Sequence, residues 1–294
     1  MNRRALLFIS FLSLVSFSPA LLLASLGEKP SSLGQMQKGK NERSKLSEKN
    51  KALVEIDLQE LNSEEKTLKD EIIKIYQSAE KNNYQEEQKK IVKMGSKAKN
   101  PLEHILKEEN DETMKWFALW VYSNITEGDR LNKVLEIALS SPSWLICLSA
   151  AQIIGEKKLV ALEPELIKHL SDPALVVRNA IIASLGELAK PSSIKPILEQ
   201  LHNVKNFRQG APTFIFETAF NSLAKLAAYE AMDELIEFLD HDNRRLALKA
   251  DEALQKITHH NFLSKTFSGN QLKSHWQNYL STMKRQETMR PKIF

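Results

Sequence analysis

The residue types that most often bind metals are scattered along this chain without the spacing that a metal site needs. Seven histidines are present, and none is followed by Glu or has another His three or four residues away. No helix face can therefore offer two imidazoles to one ion. His259 and His260 fall where a helix is expected to end, a position that favours a cation. We expect no metal ion and no other cofactor.

Nucleophilic chemistry has no clear signature either. Cys147 is the single cysteine, so no intramolecular disulfide can form. Its apolar neighbours indicate a buried thiol of low reactivity. The chain contains neither a Gly-x-Ser-x-Gly sequence nor a glycine-rich phosphate loop. The sequence therefore predicts a protein that is not an enzyme.

The charge of the chain is concentrated near its two ends. The formal net charge is +4, and residues 28–51 hold seven Lys or Arg against three Glu, while residues 282–294 hold four against one. Without these segments and the two N-terminal arginines, the net charge is about −5. A nucleic-acid binder is expected to place its basic excess on the folded surface. We therefore expect no nucleic-acid partner.

The first 27 residues have the layout of a secretory signal. Arg3 and Arg4 precede an uncharged stretch rich in Leu and Phe, and small residues suitable for cleavage occur at Ser25-Leu26-Gly27. Residues 5–26 are also long enough to span a bilayer, so an uncleaved membrane anchor is the alternative. In both cases the remainder is exported, because the basic flank stays inside. A membrane partner is expected only if this segment is retained.

A repeated pattern organises the middle of the chain. Its clearest copy runs from Ser171 to Gly186, with an Asp172-Pro173 turn, then Val177-Arg178, small residues and Leu185-Gly186. Apolar residues recur at the Leu185 position, 31 residues before and 38 and 69 residues after it. The equivalents of Leu185 are Tyr122, Ile154, Leu223 and Leu254. Spacings of three and four residues place these positions on one helical face, which only stacked neighbours can bury.

The copy at 171–186 resembles the second half of a HEAT repeat. The resemblance implies an all-α fold, an α-solenoid of stacked HEAT-like helix pairs, with five pairs at 99–259 and a degenerate pair at 63–98. The resemblance also implies that Asp172 and Arg178 form an internal ladder between neighbouring repeats, which holds the turn to the helix. Certain exported bacterial HEAT proteins end in an Asn-Phe loop and a Trp helix, which resembles Asn261-Phe262 and Trp276 and predicts a capping helix within 260–284. Residues 28–62 are expected to be a flexible linker, and residues 285–294 a basic tail.

The helical angles also predict a binding surface. In each second helix, the third and seventh positions after the Val177 position face away from the core. In a solenoid these helices line the concave wall. The candidate binding residues are Trp116, Trp120, Leu148, Gln152 and Asn179. The tryptophans and Leu148 would form an exposed apolar patch, unless the irregular N-terminal pair folds over them.

We therefore expect a protein-interaction scaffold of the cell envelope or exterior that binds another protein. The first alternative is an enzyme on a HEAT-like fold, of the bilin-lyase or hydroxylase type. The absence of His-Glu pairs, which HEAT-type hydroxylases use as iron ligands, and the exported address both disfavour it. The second alternative is a membrane-tethered adaptor, which differs only in retaining residues 5–26.

Overall fold

The computed structural model describes residues 58–79, 83–262 and 269–289. These residues form thirteen α-helices packed as sequential pairs, together with one short β-hairpin. The predicted all-α, HEAT-like α-solenoid fold is confirmed. The helices are α1 (Ser63–Ala79), α2 (Tyr84–Val92), α3 (Lys99–Glu108), α4 (Glu112–Ile125), α5 (Gly128–Leu139), α6 (Trp144–Glu156), α7 (Glu163–Lys168), α8 (Leu175–Leu188), α9 (Ile194–His202), α10 (Ile215–Lys225), α11 (Met232–Glu237), α12 (Arg244–Thr258) and α13 (Gly269–Met289).

Two compact units make up the chain, the first ending at Ile153 and the second beginning at Ile154. In the first unit, α1 packs on α2 and α3, and α4 packs on α2 and α3. Side-chain caps fix where these helices begin, because they satisfy backbone N–H groups that have no partner inside the helix. Asn62 and Glu65 bond to each other's backbone N–H at the start of α1 (2.9 and 3.0 Å). Asp111 Oδ1 accepts from Thr113 N at 2.8 Å at the start of α4.

In the second unit, the second helices of three pairs, α8, α10 and α12, pack side by side. Leu185, Leu223 and Leu254 are fully buried between them. A side chain at Gly186 would place its Cβ 2.6 Å from Ser222 Oγ, so only glycine permits this approach of α8 to α10. Ser222 Oγ uses the contact to donate a hydrogen bond to Ile182 O at 2.9 Å. Gly186 is thus required for the close packing of α8 on α10.

The second helices α6, α8, α10 and α12 end in a shared backbone conformation. Lys158, Ala189, Ala227 and His259 have φ between 47° and 56°, the left-handed region that side chains with a Cβ disfavour. Each follows the last turn of its helix and reverses the chain toward the next pair. α4 in the first unit ends differently, since the residue after it, Thr126, is extended with φ −131°.

An ordered insertion separates α9 from α10 and accounts for the longer, 38-residue step from Leu185 to Leu223. It contains a 3-10 turn at Val204–Asn206 and two antiparallel strands, β1 (Phe207–Arg208) and β2 (Ala211–Pro212). Gln209 and Gly210, both with positive φ, form the hairpin turn. Fully buried Asn206 holds the base, because its Nδ2 donates to Gln200 O at 2.8 Å and its carbonyl accepts from Thr213 Oγ1 at 2.8 Å.

The last helix, α13, closes the second unit through a buried tryptophan. Trp276 is completely buried, and its Nε1 donates to Asp251 Oδ1 on α12 at 2.9 Å. The Phe262 ring lies 4.8 Å from the Trp276 ring in an edge-to-face contact. Lys273 on α13 bonds Glu237 at 3.0 Å, which ties the same helix to α11. The helix continues to Met289, beyond the residue 284 expected from the sequence.

Three predicted segments lie largely outside the described residues. These are the signal at 1–27, residues 28–57 of the predicted linker at 28–62, and residues 290–294 of the predicted tail. Within the described ranges, none of the helices combines the length and the hydropathy needed to cross a bilayer.

Candidate interaction surface

The predicted apolar patch is not exposed, and that expectation was wrong. Trp116 and Trp120 on α4 are each 6% exposed, and Leu148 on α6 is 3% exposed. Tyr84, at the start of α2, contacts Trp116 edge to face with the ring centroids 5.5 Å apart. The N-terminal helix pair therefore covers the outer side of α4. Leu148 is buried because α6 carries apolar or small residues on almost every side, which is typical of a helix surrounded by protein.

The remaining predicted positions are accessible to different degrees. Gln152 on α6 and Asn179 on α8 are half-buried. The Oδ1 atom of Asn179 is inaccessible and has no hydrogen-bond partner among the described residues. The corresponding positions on the second unit's helices α8, α10 and α12 are half-buried or exposed. We call this set the second-helix face, and it consists of Asn179, Ala183, Glu217, Asn221, Leu248 and Glu252.

Leu248 is the large apolar residue of the second-helix face. Its side chain is 45% exposed. Among the described residues, Val160, Val204 and Tyr229 are the other large apolar side chains exposed to a comparable or greater extent, and all three lie in short 3-10 turns. Leu248 instead projects from the middle of an α-helix. The candidate residues chosen from the sequence omitted it, although the same angular rule pointed to it.

Ion pairs surround Leu248 on α12. Arg245 bonds both carboxylate oxygens of Glu217 on the neighbouring α10, each at 2.9 Å. Lys249 Nζ lies 2.7 Å from Glu252 Oε2 within α12. Exposed pairs of this kind contribute little to stability. They do fix charged groups of both signs around one exposed leucine.

Arg178 connects its own turn to the insertion of the following helix pair. It is 2% exposed, and its Nη1 donates to the carbonyls of Asp172 (2.6 Å) and Pro173 (3.1 Å). Its Nε and Nη2 donate to Asn206 Oδ1 (2.9 Å) and Lys205 O (2.8 Å). Burial lowers the pKa of the guanidinium, and nearby Asp172 opposes that shift. Arg178 thus organises the backbone on both sides, while Asp172 Oδ1 caps the turn by accepting from Ala174 N at 2.8 Å.

The first unit contains a buried carboxylate with two partners. Glu103 Oε1 accepts from Tyr122 Oη at 2.5 Å and from Arg130 Nε at 2.8 Å, and Arg130 Nη2 bonds Oε2. Burial and the hydrogen bond to Glu103 raise the pKa of the Tyr122 hydroxyl. The hydrogen bond to Glu103 also raises the pKa of Arg130. Tyr122 therefore stays protonated and Arg130 charged, and the cluster joins α3, α4 and α5.

The single cysteine is also engaged inside the fold. Cys147 is buried, and its thiol contacts the carbonyl oxygens of Leu139 and Ser141 at 3.2 and 3.1 Å. Across the described ranges there is no group of three or more His, Cys, Asp or Glu residues able to hold a metal ion.

The fold defines the class of the protein as a HEAT-like α-solenoid, and comparison with known proteins agrees with this class. Residues 131–211 match the family model for HEAT repeats. No curated protein matches the sequence. Among solved structures, the chain is similar to one in the complex of CpcE and CpcF of phycocyanin lyase from Nostoc sp. PCC7120, with 19% identity and a TM-score of 0.47. That alignment covers 54% of this chain and 64% of the other, which is less than two thirds of its length.

Proposed function

We propose that this protein is an exported, non-enzymatic scaffold that binds another protein through the second-helix face. One observation carries the proposal, namely the exposure of Leu248 on that face. An exposed apolar side chain on a helix, surrounded by polar groups, has the organisation of a small interface: an anchor that is desolvated on binding and a rim that stays wet.

The arrangement of charges indicates what the partner offers. Glu217 and Arg245 neutralise each other, as do Lys249 and Glu252. A face without a dominant sign of charge provides little long-range attraction, so the affinity must come from apolar contact and local hydrogen bonds. Asn221 can supply such bonds. The partner is therefore a protein surface with an apolar side chain that packs on Leu248.

The side chains that could take part in catalysis bond to other parts of the fold, and this supports a scaffold rather than an enzyme. Glu103 holds Tyr122 and Arg130, and the Cys147 thiol lies against two backbone carbonyls. A general acid or base needs a proton that it can transfer near the working pH, whereas the raised pKa of the Tyr122 hydroxyl keeps its proton in place. The residues of the second-helix face, by contrast, are accessible.

The first test identifies the partner and locates its contact. The wild-type protein, carrying a photo-crosslinker at Asn221, is used to capture proteins from the native envelope fraction, and capture is repeated with Leu248→Asp. Tyr229→Asp is the matched control, because Tyr229 is 46% exposed and lies outside the face. We expect the same captured protein with wild type and with Tyr229→Asp, and its loss with Leu248→Asp. Equal capture by all three would exclude the second-helix face.

The exported location is tested separately. The basic head, the uncharged stretch and the small residues at 25–27 predict a mature chain that begins between Leu21 and Glu28. N-terminal sequencing of the exported protein determines this start. Recovery of the chain in the membrane fraction with Met1 retained would instead support the membrane-tethered adaptor.

A further inference from the structure

A concentrated basic cluster lies on the first unit, which does not contain the second-helix face. Residues 89–99 contain five lysines and no Asp or Glu. The cluster begins at the C-terminal end of α2, continues through the 3-10 turn at Gly95–Ala98 and ends at the first residue of α3. Its members are Lys89, Lys90, Lys93, Lys97 and Lys99. The net negative charge of the folded middle of the chain conceals this local excess.

Three of the five lysines are not neutralised. Lys89 pairs with Glu86 and Lys90 with Glu87, each at 2.7 Å. The side chains of the other three have neither an ion pair nor a hydrogen bond with any residue that the structure describes. Lys93 and Lys97 are exposed, and Lys99 is half-buried. These three, which we call the unpaired lysines, form a site of uncompensated positive charge.

The local structure keeps four of the five lysines, Lys89, Lys90, Lys93 and Lys97, exposed on the first unit. On α2, positions 89, 90 and 93 fall within an arc of about 100°, opposite to buried Ile91. The 3-10 turn packs against α1, α2 and α3, and Ala98 within it is fully buried, which leaves Lys97 on the outside. Cations at the C-terminal end of a helix are favoured by its dipole. The positive charge is therefore a fixed feature of the surface.

We propose that the unpaired lysines bind the surface of an anionic lipid bilayer. The cluster contains no arginine and no aromatic residue, the side chains that lead base recognition and base stacking in nucleic-acid sites. Lysines act as compact point charges that suit the diffuse charge of lipid headgroups. Residues 28–51, with a net charge of +4, precede the cluster in the chain and follow the uncharged stretch at 5–26. Membrane contact through the cluster therefore adds to any contact made by these segments.

The expected strength follows from the number of free charges. One Lys near an anionic bilayer strengthens binding by about fivefold, so three together contribute about 100-fold. The contribution falls steeply with ionic strength, because the charges act through a layer of about 10 Å at 0.1 M salt.

Vesicle co-sedimentation of the full chain tests the proposal. Vesicles of phosphatidylcholine alone measure the background from the apolar stretch, and vesicles that also contain phosphatidylglycerol measure the electrostatic part. The test variant is Lys93→Gln/Lys97→Gln/Lys99→Gln. The matched control is Lys157→Gln/Lys195→Gln/Lys256→Gln, which removes the same charge from three lysines of the second unit. Circular dichroism of both variants monitors the fold, and the three single substitutions replace the triple variant if it unfolds.

We expect binding that requires phosphatidylglycerol, weakens with salt, falls by about 100-fold in the test variant and changes less than about threefold in the control. Each single substitution should weaken binding by about fivefold. An equal loss of vesicle binding in both triple variants would show that binding depends only on net charge, and this would overturn the proposal. So would binding that does not depend on phosphatidylglycerol, or tighter binding to a DNA duplex that the same three lysines control.

Discussion

The helices α4 and α12 occupy the same place in their respective pairs, yet their outward positions meet opposite surroundings. The third and seventh positions of the pattern are Trp116 and Trp120 on α4, where both are buried, and Leu248 and Glu252 on α12, where both are exposed. On α4, Tyr84 from the N-terminal pair packs against the outer side. Helical periodicity therefore determines the direction of a side chain, whereas the neighbouring element determines whether solvent or protein lies there.

The largest expected effect is a loss of stability when the buried tryptophans of α4 are truncated. Trp116→Ala and Trp120→Ala should each lower the free energy of unfolding by about 3–5 kcal/mol, because each removes a large buried side chain and leaves a cavity. Leu248→Ala on α12 should change it by less than about 0.5 kcal/mol, as is usual at exposed sites. Denaturant unfolding of the three variants measures the difference.

The contact that covers α4 can be tested in the same assay. Tyr84→Ala removes the ring that lies 5.5 Å from Trp116 and should destabilise the protein while increasing quenching of tryptophan fluorescence by acrylamide. If both tryptophan variants were as stable as wild type, the N-terminal pair would not cover α4, and the sequence-based patch would be restored.

The sequence was sufficient for the fold because the fold depends on local and repeated patterns. Recurrence of large side chains at the Leu185 position predicted stacked helix pairs, and the close contact between Gly186 and Ser222 shows how two of these helices approach each other. The candidate site depended on contacts between distant segments. Nothing near Trp116 in the sequence indicates that Tyr84, 32 residues earlier, packs on it.

Two other features were missed for a related reason. The lysines of 89–99 were averaged into the net charge of the folded middle, although a count over a short window would have found them. Arg178 was expected to form a ladder between neighbouring repeats, but the sequence did not indicate that its partners are Lys205 O and Asn206 Oδ1 in the insertion. Partners of a buried charge 28 residues away cannot be read from spacing.

A smaller loss of stability is expected on the side of α12 that faces the last helix, α13. Asp251 faces the last helix and accepts from Trp276 Nε1. Trp276→Phe should lower the free energy of unfolding by about 1.5–3 kcal/mol, because a hydrogen bond to a charged group is lost. Tyr279→Phe is the control, since the ring contacts of Tyr279 remain. Equal stability of the two variants would show that the Asp251 bond does not hold α13 in place.

A smaller effect, of opposite sign, concerns the ends of the second helices. Ala189 and Ala227 have φ of 53° and 47° and are exposed. Ala189→Gly and Ala227→Gly should each raise the free energy of unfolding by about 0.5–1 kcal/mol, because relief of the left-handed strain exceeds the entropy cost of glycine. Thr126→Gly, after α4, should not stabilise, since Thr126 is extended. Melting temperatures of the three variants check this contrast, and stabilisation of all three would contradict it.

The central claim, that the exposed side of the second helices binds a partner, is tested most directly by the affinity of the captured protein for Leu248→Ala. Calorimetric titration should show a loss of more than about 2 kcal/mol, or about 30-fold in Kd, as expected for an anchor residue. Tyr229→Ala, matched in exposure, should change Kd by less than about twofold. Comparable affinities of wild type and Leu248→Ala would contradict the claim.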